Sequence, residues 1–214
     1  IETISAPAER REQREVSYDV EVAANGNARI TKTARYRGDA FGQKHKEFAE
    51  MPPEERHRYY QEAVARLSQS ARAEGDLKTD FTTYPGVETF TAIVEDFALR
   101  EGEYLYFELP ESLSNVLGLR ADERSNDLYW SDPTRSSLTT RVHLPAGVAE
   151  LVLAPESVTW TAPSKAGKIT VSRQELKATA TGGHEPGFVL THKVALQPAV
   201  LKAGDYGELL EIDR

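Results

Sequence analysis

Over much of this chain apolar and polar residues alternate with a period of two, the spacing of a strand with one face buried. Val16, Tyr18, Val20 and Val22 alternate with Ser17, Asp19 and Glu21, and the pattern resumes after Asn25-Gly26-Asn27 with Ala28, Ile30, Ala34 and Tyr36. Two alternating runs around an Asn-Gly turn predict a β-hairpin. The same register gathers Arg29, Thr31, Thr33, Arg35 and Arg37 on the other face, which predicts a solvated side rather than a basic binding patch.

From Gly38 the texture changes. Phe41 and Phe48 sit within a charged run, and Pro52-Pro53-Glu54-Glu55 then opens a stretch with Tyr60, Ala63, Val64, Leu67 and Ala71 at helical spacing. Proline and acids in the first turn predict a helix start, and Gly75 a stop. The apolar stripe should lie on a sheet while Arg56, His57, Glu62 and Arg66 face water, so His45 and His57 read as solvated rather than catalytic.

Strand signals return at Phe81 and the Tyr84-Pro85-Gly86 turn, followed by Val87 to Phe97 and Tyr104 to Leu109, with Ser112 to Leu119 a short irregular piece. A second meander runs through Leu138 to Leu144, Leu151 to Leu153, Ser157 to Thr161, Ile169 to Val171, Glu175 to Ala180 and Phe188 to Leu196. Asp205-Tyr206-Gly207-Glu208 has capping-box spacing and predicts a short closing helix through Leu209, Leu210 and Ile212. The expected fold is mainly β (α+β): antiparallel sheets in a β-sandwich-like architecture, with one inserted long helix and a short C-terminal helix. Two subdomains are expected, a β-rich one over 1–124 with a helical insertion at about 39–74, and an antiparallel one over 125–214.

Composition narrows the function classes. With 214 residues, 39% hydrophobic and 28% charged, the chain can bury a proper core, and no apolar run reaches the roughly 20 residues that cross a bilayer as a helix. A net charge of −8 argues against nucleic acid, whose phosphates need clustered Lys and Arg. The absence of cysteine excludes disulfides, thiolate metal sites and a cysteine nucleophile from the chain, and the start at Ile1 without Met is expected of a piece of a longer polypeptide.

Motifs with chemistry are mostly missing. His184-Glu185-Pro186-Gly187 cannot be a zinc-binding helix, because no second histidine follows one turn later and Pro-Gly breaks helices. Gly167-Lys168 lacks the earlier glycine of a phosphate-cradling loop, and no serine has a nucleophile-elbow context. His143 and His192 fall within alternating strands and read as face residues. Acid pairs such as Glu95-Asp96 are expected by chance among 34 acids. No cofactor and no metal ligand set is expected.

The candidate binding residues are Tyr129, Trp130, Arg135 and Trp160. Leu128-Tyr129-Trp130-Ser131-Asp132-Pro133 concentrates aromatics, which can stack on sugars or anchor a partner and can equally fill a core.

From Trp130 onward, Asp132-Pro133-Thr134-Arg135-Ser136-Ser137, then Leu144-Pro145-Ala146-Gly147-Val148 and Ala154-Pro155, resembles the C-terminal region of large bacterial transglutaminase-like proteins. The opening hairpin, the helical insertion, Pro85-Gly86, Ile169 to Leu176 and Asp205-Tyr206 agree in order. The resemblance implies an N-terminal domain of unknown function and a papain-like core upstream, with this segment as a β-rich tail.

Such a core works through a thiolate, and no cysteine exists here to carry that role. The expectation is therefore a non-catalytic accessory, scaffolding or binding module, not itself an enzyme, contacting upstream domains of the same polypeptide or a protein or peptide partner. The resemblance also implies a bacterial periplasmic or extracytoplasmic location. The alternative is a carbohydrate-binding or hydrolytic domain that uses surface aromatics and carboxylates.

Overall fold

The structure, a computed structural model, describes residues 13–111, 119, 123–131, 133–148, 150–162, 166–176 and 186–213. The expected opening hairpin forms as β1 (Arg14–Val22) and β2 (Ala28–Tyr36), paired so that Val16 meets Ala34 and Val20 meets Ile30. Gly26 takes φ +88° in the connecting turn, a conformation that costs glycine little, and its carbonyl accepts the Ala98 N–H at 2.8 Å.

Two helices follow where one was expected. In α1 (Gly38–Glu50), Phe41 and Phe48 lie two turns apart and pack on Phe81, with ring centroids 6.5 and 5.2 Å away. In α2 (Pro53–Ala65), Tyr60, Ala63 and Val64 bury against Phe90 and Ala92, as the helical spacing predicts. His57 is exposed, and so is His45, whose Nδ1 hydrogen-bonds the Phe81 carbonyl at 2.8 Å. Arg56 departs from the expected solvent face: half-buried, it donates to the Phe48 carbonyl at 2.9 Å and so ties the two helices together.

The helix ends at Ala65 rather than near Gly75. Ala71–Asp80 is instead β3, an edge strand in which Gly75 takes φ +74° at a register shift. Then come β4 (Gly86–Val94), β5 (Ala98–Glu101) and β6 (Tyr104–Phe107). A Cβ on Gly86 would collide with the Phe81 ring, so this glycine lets Phe81 lie flat on the strand.

The second half supplies β7 (Leu128–Trp130), β8 (Thr134–His143), β9 (Val158–Ala162), β10 (Gly167–Leu176), β11 (Gly187–Leu196) and β12 (Ala199–Leu201), closed by a 3₁₀ turn and α3 (Tyr206–Asp213). Ile169 to Val171 and Glu175 belong to one strand, β10, and Leu151 to Leu153 is loop rather than strand. The expected pieces at 112–118, 164–165, 177–180 and 182–185 lie outside the described residues.

The fold is mainly β with helices added. Eight strands form one mixed sheet in the order β3-β4-β2-β1-β8-β11-β10-β9, and β5–β6 and β12–β7 form two-stranded ribbons. Strand β1 pairs antiparallel with β2 and parallel with β8, so the sheet is continuous across the region near residue 124. One face is covered. Val16, Val20, Leu138, Val142, Phe188 and Leu190 share a core with Leu105 and Phe107 of the small ribbon, while Trp160, Ile169 and Val194 pack with Leu201 and Leu209 at the closing helix. The opposite face carries the intervening polar residues.

Candidate functional site

Alternation decides which side chains reach the open face, and strand register decides which of them meet. The pairings align Thr89, Thr33, Ser17, Thr139, Thr191 and Ser172 in one row across six neighbouring strands. Hydroxyls link neighbours within this face: Thr33 to Thr89 at 3.2 Å and, one row on, Thr31 to Thr91 at 3.0 Å. The parallel row is Arg35, Glu15, Ser137, Lys193 and Thr170, with Arg135 beside Ala195 beyond it.

Small side chains at Ser17, Ser137 and Ala195 alternate with the long chains of Arg35, Arg135 and Lys193. The sheet surface therefore dips into a groove of about 430 Å³ spanning β2, β1, β8 and β11. Its single lining carboxylate, Glu15, accepts from Arg37 Nε at 3.2 Å. Among the described residues no carboxylate pairs with Arg35, Arg135 or Lys193. An acidic chain thus presents three uncompensated cations over a bed of hydroxyls.

Beyond the hydroxyl row, Asp19 gathers His143 at 3.3 Å and Arg141 at 3.5 Å. This cluster satisfies its own charges and does not line the groove. The groove lining sets Ser and Thr hydroxyls beside the Glu15 carboxylate and three cationic side chains, an arrangement that offers hydrogen bonds and positive charge to a bound group. His192 lies on the covered face, buried beside Leu138, and cannot meet His143 across the sheet.

The four sequence candidates separate. Arg135 is exposed in the groove. Trp160 is buried in the core under β9 and donates its indole N–H to Glu208 at 2.7 Å. Trp130 packs half-buried against that core, and its indole nitrogen has no hydrogen-bond partner among the described residues. Tyr129 is exposed beside Val200 on the β12–β7 ribbon. The structure therefore does not bring the four together. Arg35 and Lys193, which complete the cationic set, carry no local motif; the only sequence signal is the alternation that puts Arg35 on the polar side of β2.

A second group of titratable residues lies on the covered side of the sheet. Tyr59 donates to the buried Glu88 at 2.7 Å, and Glu111 accepts from Tyr18 at 3.0 Å and Arg14 at 2.9 Å. Burial, reinforced by the Glu111 charge, pushes the Tyr18 hydroxyl well above its ordinary range; burial, with Glu88 nearby, raises Tyr36 to about 12. Burial lowers Lys32, whose ammonium lies 5.6 Å from the centre of the Tyr18 ring. The Tyr59–Glu88 bond fastens α2 to β4, and the Glu111 carboxylate fastens the chain that follows β6 to β1.

Among the described residues no group of three or more His, Asp or Glu side chains is arranged to hold a metal ion, and no described helix is long and apolar enough to cross a membrane. Comparison with family models, with curated proteins and with solved structures finds no match to this chain.

Proposed function

We propose that this chain is a non-catalytic binding module whose open sheet face takes an acidic segment of a protein partner. The observation that carries the reading is the groove itself, where Arg35, Arg135 and Lys193 stand without described carboxylate partners above Ser17, Ser137 and Thr139. Guanidinium and ammonium groups pair with carboxylates, and hydroxyls accept or donate to peptide groups, so the lining matches an extended chain bearing Glu or Asp. A long polyanion such as nucleic acid fits less well, because the remaining surface is acidic, with a net charge of −8. The resemblance to transglutaminase-like tails would put such a segment on a neighbouring domain of the same polypeptide.

Fluorescence polarisation with a short labelled peptide of alternating Glu and Thr tests this. Binding should weaken with salt and fall at least tenfold in an R35A/R135A/K193A variant, while the Gln-for-Glu peptide should not bind. Equal binding of both peptides would overturn the reading.

A carbohydrate ligand is the second reading, favoured by a different observation. On the outer face of the β5–β6 ribbon, Tyr104 and Tyr106 are 53% and 52% exposed with ring centroids 6.1 Å apart, and Leu99 beside them is 66% exposed. Exposed aromatic rings stack on sugar faces. A glycan panel bound by the native chain and lost in Y104A/Y106A would select it.

A further inference from the structure

The eight-stranded sheet has two edges, and they are built differently. The β3 edge carries Arg72, Glu74, Asp76, Lys78 and Asp80, a register shift between Glu74 and Lys78, and a carbonyl at Gly75 already occupied by the Tyr60 hydroxyl at 3.0 Å. Charges and bulges of this kind keep an edge from pairing with another chain. The β9 edge has none of them. Its sequence is Val158-Thr159-Trp160-Thr161-Ala162, uncharged and in regular register with β10 on one side. On the other side no described residue hydrogen-bonds to its backbone.

We propose that β9 is a self-association edge, on which a second copy of this chain adds its own β9 antiparallel, centred on Trp160. In that register Thr159 faces Thr161 of the other copy and Val158 faces Ala162, so every pair is chemically matched. Like hydroxyls meet on the open face, where Thr159 and Thr161 are exposed. On the covered side Val158, 44% exposed in the single chain, gains the neighbouring methyl and the indole edge of its mate. A strand of five residues is of ordinary length for sheet pairing, and no charge is buried in forming it. The two sheets would join into one, with both grooves on the same side.

The test is a charge exchange at positions that the fold leaves exposed. Sedimentation velocity over a concentration series should show the native chain passing from one to two copies. T159E/T161E places Glu opposite Glu twice and should weaken association at least tenfold, with circular dichroism and thermal midpoint unchanged at a dilution where both chains are single. T159K/T161E places Lys opposite Glu twice and should restore it. A native chain that stays single at the highest concentration reached, association untouched by T159E/T161E, or T159K/T161E no tighter than T159E/T161E would each overturn the proposal. Peptide binding in the groove is read separately, so the two proposals stand or fall independently.

Discussion

Val20 of β1 and Val142 of β8 are register partners in the parallel pair at the centre of the sheet, and neither exposes any surface. Through this contact the hairpin of the first half and the meander of the second share one core. Cutting Val20 to Ala removes two buried methyl groups and leaves a void that rigid neighbours close only in part, a loss of about 2 kcal/mol. Both tryptophans sit in the second half, at the closing-helix core. If the sheet unfolds as one unit, V20A should lower the urea midpoint of tryptophan fluorescence as much as that of far-UV circular dichroism. A fluorescence transition that V20A leaves in place would show two independent units.

Trp160 and Glu208 carry a second prediction. Their 2.7 Å hydrogen bond fastens α3 to β9, beneath which Leu201 and Leu209 complete the core. The Glu208 side chain is solvent-accessible, so its loss is partly compensated by water, and E208A should cost about 1 kcal/mol in urea unfolding. E208Q keeps an acceptor oxygen and should recover most of it. Equal destabilisation by both substitutions would mean that the bond is not the source.

Legibility from sequence followed how local the physics is. The β1–β2 hairpin was readable because alternation and the Asn25-Gly26 turn agree within a few residues, and α2 because Tyr60, Ala63 and Val64 share a helical face. Strand β3 was not, since an exposed edge strand buries neither face and its charges continue the look of a helix. Helix α1 hides for a related reason: it buries Phe48 alone, too little for a stripe. The parallel β1–β8 pairing joins residues more than a hundred positions apart and leaves no local trace. The groove depends on that pairing, so Arg35 read as merely solvated and Arg135, though a binding candidate, was grouped with Tyr129, Trp130 and Trp160 rather than with Arg35 and Lys193.

His192 predicts an acid sensitivity. Burial on the covered face disfavours its charged form and lowers its pKa below the ordinary value of about 6.5. The unfolded chain therefore takes up the proton first as pH falls, which stabilises the unfolded state. The contribution of neutral His192 is fully present above about pH 6.5 and is lost progressively below it. Urea unfolding at pH 7.5 and 5.5 should show a drop that H192L, apolar among Leu138 and Val171, reduces. An identical drop in H192L would assign the effect to other groups.

The tyrosines on the covered side of the sheet predict the opposite limb. The Tyr36 hydroxyl is raised to about 12 by burial and the Glu88 charge, and Tyr18 and Tyr59 are displaced in the same direction, Tyr59 by burial and its bond to Glu88. A phenol held neutral in the folded chain contributes stability that is complete below the unfolded value of about 10 and is lost as pH rises through the folded one. Tyrosinate absorbance should therefore rise in two stages, with these three phenols ionising only as the chain unfolds in base. Removing the hydroxyl in Y59F leaves Glu88, 4% exposed, without its 2.7 Å donor, at a cost of roughly 1 to 3 kcal/mol at neutral pH. E88Q in the Y59F background should return part of that loss, because an amide tolerates burial better than a bare carboxylate. No recovery in the double variant would place the origin of the loss in helix packing rather than in the unpaired charge.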